Sequence, residues 1–183
     1  MLRESVVALA LVMLAGCGTQ MKVVKLDDSG HFPTKKEATV VTSVAVDLDE
    51  RRGLLVAPNG DFTADMVRNI GYFDEVINFE ELEKRIVTNN LTDKVPSLQD
   101  RIGINNAARH YRPFLWLHWD SRKDGTKVYQ QLKLVDALTL DEYFVAETYL
   151  DVIWAGVTDQ NNAYPAMNAL IDYLRANSAT FGK

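Results

Sequence analysis

FLWLHWDSRKDGTKVYQQLKLVDALTLDEYFVAETY, residues 114–149, carries the pattern that sets the fold class. Phe114 to Asp120 is rich in aromatic and apolar residues and reads as a strand. Side chains alternate across a strand, so Trp116 and His118 share one face while Leu117 and Trp119 share the other. Asp124-Gly125 is a hairpin-turn pair, and Thr126 to Val135 returns. On that return strand Val128, Gln130, Leu132 and Leu134 form one face; Tyr129, Gln131, Lys133 and Val135 form the other. Asp136-Ala137-Leu138-Thr139 supplies the next turn. Tyr143 to Tyr149 makes a third strand, which can continue to Trp154. The stretch is an antiparallel meander.

Upstream, Thr39 to Val46 is rich in β-branched residues and predicts a strand, and Arg51 to Ala57 predicts a second, shorter one. Asp61 is placed to cap a helix to Ile70, with Gly71 just beyond its end. Phe62, Met66, Val67 and Ile70 make its apolar stripe. Tyr72 to Ile77 fits a strand. Asn78 then caps another helix, and Glu81 stands three positions on, in capping-box spacing. Thr88 to Asn105 shows no clear period, and Asn106 to Tyr111 reads as a helical turn before Pro113. Downstream, Pro165 suits the first turn of a last helix with Met167, Leu170, Ile171 and Leu174 inward.

These elements predict an α/β chain of α+β type, with helices packed on one face of a mixed, mostly antiparallel sheet. Residues 38–178 are expected to form a single domain, preceded by a polar tether at 17–37 and followed by a short tail at 179–183. Apolar residues make up 47% of the 183, enough for a sizeable core. The net charge of −5 argues against a nucleic-acid partner, which needs a basic face.

Residues 1–16 have the layout of an export signal: Arg3 near the start, an apolar core from Val6 to Leu14, then small residues. That core is too short to span a bilayer. Leu14-Ala15-Gly16-Cys17 resembles the lipobox of bacterial lipoproteins. The alternatives are a buried apolar segment and a start at Met21; the abrupt polar change at Gly18-Thr19-Gln20 and the lone cysteine in the lipobox speak against both. The resemblance implies cleavage before Cys17, a diacylglycerol on its thiol and an amide-linked acyl chain such as palmitate. Several acyl chains anchor stably where one does not. Gly18 in place of Asp implies, for a diderm host, the outer membrane with the domain facing the periplasm. Cys17 is the sole cysteine, so its acylation rules out disulfides, thiolate metal ligands and cysteine catalysis in the mature chain.

Gly71 to Ile77, Leu134 to Thr139 and Trp154 to Gln160 resemble uncharacterised proteobacterial lipoproteins. The element order resembles periplasmic α/β domains of envelope-assembly lipoproteins, such as the curli secretion lipoprotein and the outer-membrane activators of peptidoglycan synthases. The resemblance implies an envelope-protein partner and carries over no functional residue besides Cys17.

Two groups are candidate sites. Trp116, His118 and Trp119 either pack in the core or present an aromatic partner surface. Asp159, Gln160 and Asn161 lie in a polar loop that suits either binding or an ordinary connection. His31, His110 and His118 have no metal-ligand spacing, so neither a metal nor a cofactor is expected. No GxSxG elbow, phosphate loop or dinucleotide fingerprint is present. The expected function is a lipid-anchored binding or assembly module; the alternative is a lipid-tethered hydrolase of cell-wall or glycan substrate.

Overall fold

The computed structural model describes residues 23–150 and 161–182. Cys17 and the signal segment, the extension toward Trp154, and Asp159 and Gln160 lie outside them.

Six strands form one sheet: β1 (Thr39–Ser43), β2 (Leu55–Ala57), β3 (Val76–Asn78), β4 (Leu115–Asp124), β5 (Lys127–Asp136) and β6 (Glu142–Tyr149). Four helices accompany them among the described residues: α1 (Asp61–Ile70), α2 (Phe79–Thr88), α3 (Arg101–His110) and α4 (Ala163–Ala176). The spatial order is β1-β6-β5-β4-β2-β3. The meander appears as expected, with β4, β5 and β6 antiparallel and β1 added antiparallel to β6. At the other end β2 pairs parallel with both β3 and β4. Parallel neighbours need helical crossovers, which α1, α2 and α3 provide. The fold is therefore α+β with a mixed sheet, and its antiparallel character is confined to one wing.

The helices do not all lie on one face. Leu55, Ala57, Leu115, Leu117, Leu132, Leu134 and Phe144 pack with α1 and α4. Leu54, Val56, Ile77, Phe114 and Ala137 pack with α2 and α3 on the opposite face. The reason is the continuous run Leu54-Leu55-Val56-Ala57, in which every residue is at most 2% exposed. A strand apolar on both faces must be covered on both.

Local signals explain most elements. Asn78 Oδ1 accepts from Glu81 N at 2.9 Å while Glu81 Oε2 accepts from Asn78 N at 3.2 Å, completing the capping box of α2. Met167, Leu170, Ile171 and Leu174 are fully enclosed, as their stripe on α4 predicts. Gly71 ends α1 with φ of 71°, a left-handed conformation that costs glycine little. Asp61 is not a cap: Gly60 occupies that position, and Asp61 Oδ1 accepts from Asn78 Nδ2 instead. The strand expected over Tyr72–Ile77 shrinks to Val76–Asn78. Tyr72 and Phe73 are held by edge-on ring contact at 4.9 Å rather than by a ladder. α3 starts earlier than expected, at Arg101, capped by Asp100, whose carboxylate accepts from Gly103 N at 2.8 Å. Gly103 is required there, because a Cβ would sit 2.0 Å from the Ser97 carbonyl oxygen.

Residues 23–36 form an arm without helix or strand that packs on α4. The arm's one phenylalanine, Phe32, is 1% exposed and stacks on Tyr164 at 5.2 Å.

Candidate functional site

The face of the antiparallel wing opposite α4 places Trp116, His118, Asp120 and Arg122 on β4. Val135, Lys133, Gln131 and Tyr129 stand across from them on β5 in that order. β6 continues the row with Glu147 beside Gln131 and Tyr149 beside Tyr129. The apolar cluster under α2 and α3 reaches only as far as Trp116, with Phe79 edge-on to its indole at 6.4 Å. Beyond Trp116 the face is largely aromatic and charged, and α3 reaches it only at its edge, where Arg101 Nη1 lies 3.5 Å from Glu142 Oε1.

His118 stacks on Trp116 with ring centres 4.1 Å apart and planes within 19°. Burial pushes the His118 imidazole below its ordinary pKa, and the Lys133 ammonium pushes it further. Both effects favour the neutral ring, which stacks as an uncharged heterocycle. Among the described residues, Trp116 Nε1 and His118 Nε2 find no hydrogen-bond partner. Lys133 Nζ lies 3.1 Å from Asp120 and 3.7 Å from Glu142. Arg122 donates to both oxygens of Glu147, at 3.0 and 2.9 Å, and Gln131 Nε2 adds a third bond at 3.1 Å. Such forked pairing is geometrically specific, and it holds the Glu147 carboxyl below the usual carboxylate range. The Arg122 guanidinium also lies over the Tyr129 ring, 4.5 Å from its centre, and Tyr149 is 46% exposed.

Of the sequence candidates, Trp116 and His118 stand together here. Trp119 does not: it points to the α1 face, where its Nε1 donates to Thr63 Oγ1 at 3.1 Å. Asn161 is half-buried at the end of the last connection, two residues before α4, and the neighbouring Asn162 carbonyl accepts from Thr148 Oγ1. Arg122, Tyr129 and Glu147 were not singled out from sequence. Their signal is the period-2 alternation of β4, β5 and β6, but alternation does not reveal which face carries helices.

A second feature is a groove of about 650 Å³ between the arm, β1 and α4. Ser29, His31 and Asp172 line it. His31 Nδ1 is 3.0 Å from Ser29 Oγ and its Nε2 is 2.8 Å from Asp172 Oδ1. The trio resembles a nucleophile–base–acid set in outline only. Ser29 Oγ donates to Asp27 Oδ1 at 2.6 Å. The backbone N–H groups of Ser29, Gly30 and His31 are all committed to Asp27 as well. None is left to stabilise an oxyanion, the largest single element of acyl-transfer catalysis. The trio clamps the arm to α4. Asp136, the most enclosed of the carboxylates near strand ends, is 2% exposed and is occupied by Arg51, Tyr143 and two backbone N–H groups. Among the described residues, no group of three or more His, Cys, Asp and Glu could hold a metal ion. No helix among them is long and apolar enough to cross a membrane.

No protein-family model matches this chain, and no curated protein matches it. Solved structures show weak, partial likeness. The C-terminal domain of LpoB from Salmonella enterica is 16% identical over 55% of this chain and 83% of its own, with a TM-score of 0.36. Lipoprotein GNA1162 from Neisseria meningitidis is 12% identical over 54% and 81%, with a TM-score of 0.29. The PelC dodecamer from Paraburkholderia phytofirmans is 12% identical over 77% and 97%, with a TM-score of 0.33.

Proposed function

We propose that this chain is a lipid-anchored, periplasm-facing binding module that docks an envelope protein on the Trp116–His118 face of its sheet. The observation that carries the reading is the composition of that face. A stacked indole and imidazole, an arginine over a tyrosine ring and an exposed Tyr149 stand on the face of the antiparallel wing opposite α4, which α3 reaches only through Arg101. Aromatic and arginine side chains dominate binding energy at protein interfaces. The forked Arg122–Glu147 bonds hold these rings in place before a partner arrives, which lowers the entropy lost on docking. Cys17 supplies the anchor, through a thioether diacylglycerol and an amide-linked acyl chain, and the outer membrane is the expected location.

Photo-crosslinkers placed at Tyr149 and at Val87 in intact cells test the partner surface. An adduct with an envelope protein at Tyr149, absent at Val87, is expected. No adduct at Tyr149, together with muropeptide degradation by the purified protein, would establish the hydrolase instead. Mass spectrometry of the mature chain tests the anchor, and an unmodified Cys17 or a mature chain beginning at Met21 refutes it.

A further inference from the structure

We infer that the docked arm turns the α4 side of the domain toward the bilayer and the Trp116–His118 face away from it, so that the partner surface meets a protein approaching from the aqueous side. This inference rests on acylation at Cys17. The sequence assigns residues 17–37 to a tether, a length that would span roughly 70 Å when extended and leave the domain free to turn. The structure shortens it. Val23 and Leu26 already pack against the α4 core, and Phe32 is buried within it. Asn168 clasps Phe32 at both ends of its backbone: its Oδ1 accepts from Phe32 N at 2.7 Å and its Nδ2 donates to Phe32 O at 2.9 Å. Arg175 donates to the Ser29 carbonyl at 3.0 Å, and His31 pairs with Asp172 at 2.8 Å.

Six residue steps separate the acylated Cys17 from Val23, the first described residue, which already packs against the core. Six steps reach at most about 20 Å. A domain of this length has a radius of gyration of about 15 Å, hence a width of about 35–40 Å. A leash shorter than the domain is wide cannot carry the docked side to the far pole. The arm and α4 lie on one face of the sheet, and Trp116 and His118 lie on the other.

The test uses the full acylated protein in phosphatidylcholine vesicles that carry a headgroup-linked energy acceptor. Acylation consumes the native thiol, so a donor can be attached at one introduced cysteine. Lys36→Cys reports from the groove rim beside α4, and Val87→Cys reports from α2, on the opposite face. Transfer about twofold or more stronger at position 36 than at position 87 is expected from the leash length and the domain width. A spacer of about 20 Gly/Ser residues between Lys22 and Val23 should erase that difference, because the extended reach of the leash, about 90 Å, then exceeds the domain width. Equal transfer from both positions in vesicle-bound protein of native length overturns the inference and leaves the anchor standing. Failure of the protein to partition into vesicles overturns the anchor and this inference with it.

Discussion

Phe32→Ala tests whether the arm belongs to the folded domain. In a tether this substitution would be nearly neutral, within about 0.5 kcal/mol, as for surface positions generally. In the structure Phe32 is 1% exposed and stacked on Tyr164 within 23° of parallel. Truncating an enclosed phenylalanine costs about 3–5 kcal/mol from lost transfer energy and the cavity left behind. The arm has an escape, because it can peel away from α4 and forfeit only its own docking energy. That limits the expected loss to the lower end, about 3 kcal/mol. With a urea slope of about 2 kcal/mol per molar, the unfolding midpoint should fall by about 1.5 M. The assay is urea unfolding of the acylated protein in dilute non-ionic detergent, followed by tryptophan fluorescence. Limited trypsin digestion at Lys25, Lys35 and Lys36 separates peeling from global unfolding, since peeling exposes those bonds without changing the midpoint of the rest. A midpoint within about 0.3 M of the parent, with no new tryptic sensitivity, would refute the docked arm.

Asn78→Ala should lower stability by about 1–2 kcal/mol, since the cap is enclosed and Glu81 N loses its acceptor. That corresponds to about 3–6 °C in calorimetry, and Asn78→Ser should restore most of it. Asp49 accepts hydrogen bonds from Ser178, Ala179, Thr180 and Tyr72, and the Ser178 hydroxyl foremost draws its pKa down to about 2. A depressed carboxylate pKa stabilises the fold above the unfolded value of 3.8 and loses that contribution as pH falls toward about 2. Urea midpoints should therefore drop across that window, and Asp49→Asn should flatten the slope; an unchanged slope counts against the network. The His118 ring should titrate below 6.5 when followed by NMR, because its burial and Lys133 both disfavour the charged form. A midpoint at or above 6.5 would mean that the stack on Trp116 is open to water.

Legibility in the sequence followed the range of the interactions. The capping box at Asn78 and Glu81, the left-handed Gly71 and the apolar stripe of α4 involve residues within a few positions of one another, so composition reveals them. α3 was half hidden because Gly103, Asn105 and Asn106 are weak helix formers. What holds Gly103 there is the close approach of the Ser97 carbonyl, a tertiary contact. The second helix layer had a visible signal in Leu54–Ala57, a run apolar on both faces, although the alternating meander pointed to a sheet covered on one side. For the candidate face, alternation alone placed Trp116 with His118 and set Trp119 apart. The forked Arg122–Glu147 pair spans 25 residues between β4 and β6, and no local pattern marks it.

By itself the sequence determined the meander, the capped start of α2, the glycine end of α1 and the alternation of faces, because backbone geometry and apolar periodicity act over neighbouring residues. The tertiary structure decided that helices cover both faces of the parallel wing, while on the antiparallel wing α4 covers one face and the Trp116–His118 face meets a described helix only at Trp116 and Glu142. It also decided that residues 23–36 are part of the domain. Both outcomes depend on contacts such as Asn168 with Phe32, 136 residues apart, whose energy exists only once the chain has closed the loop between them.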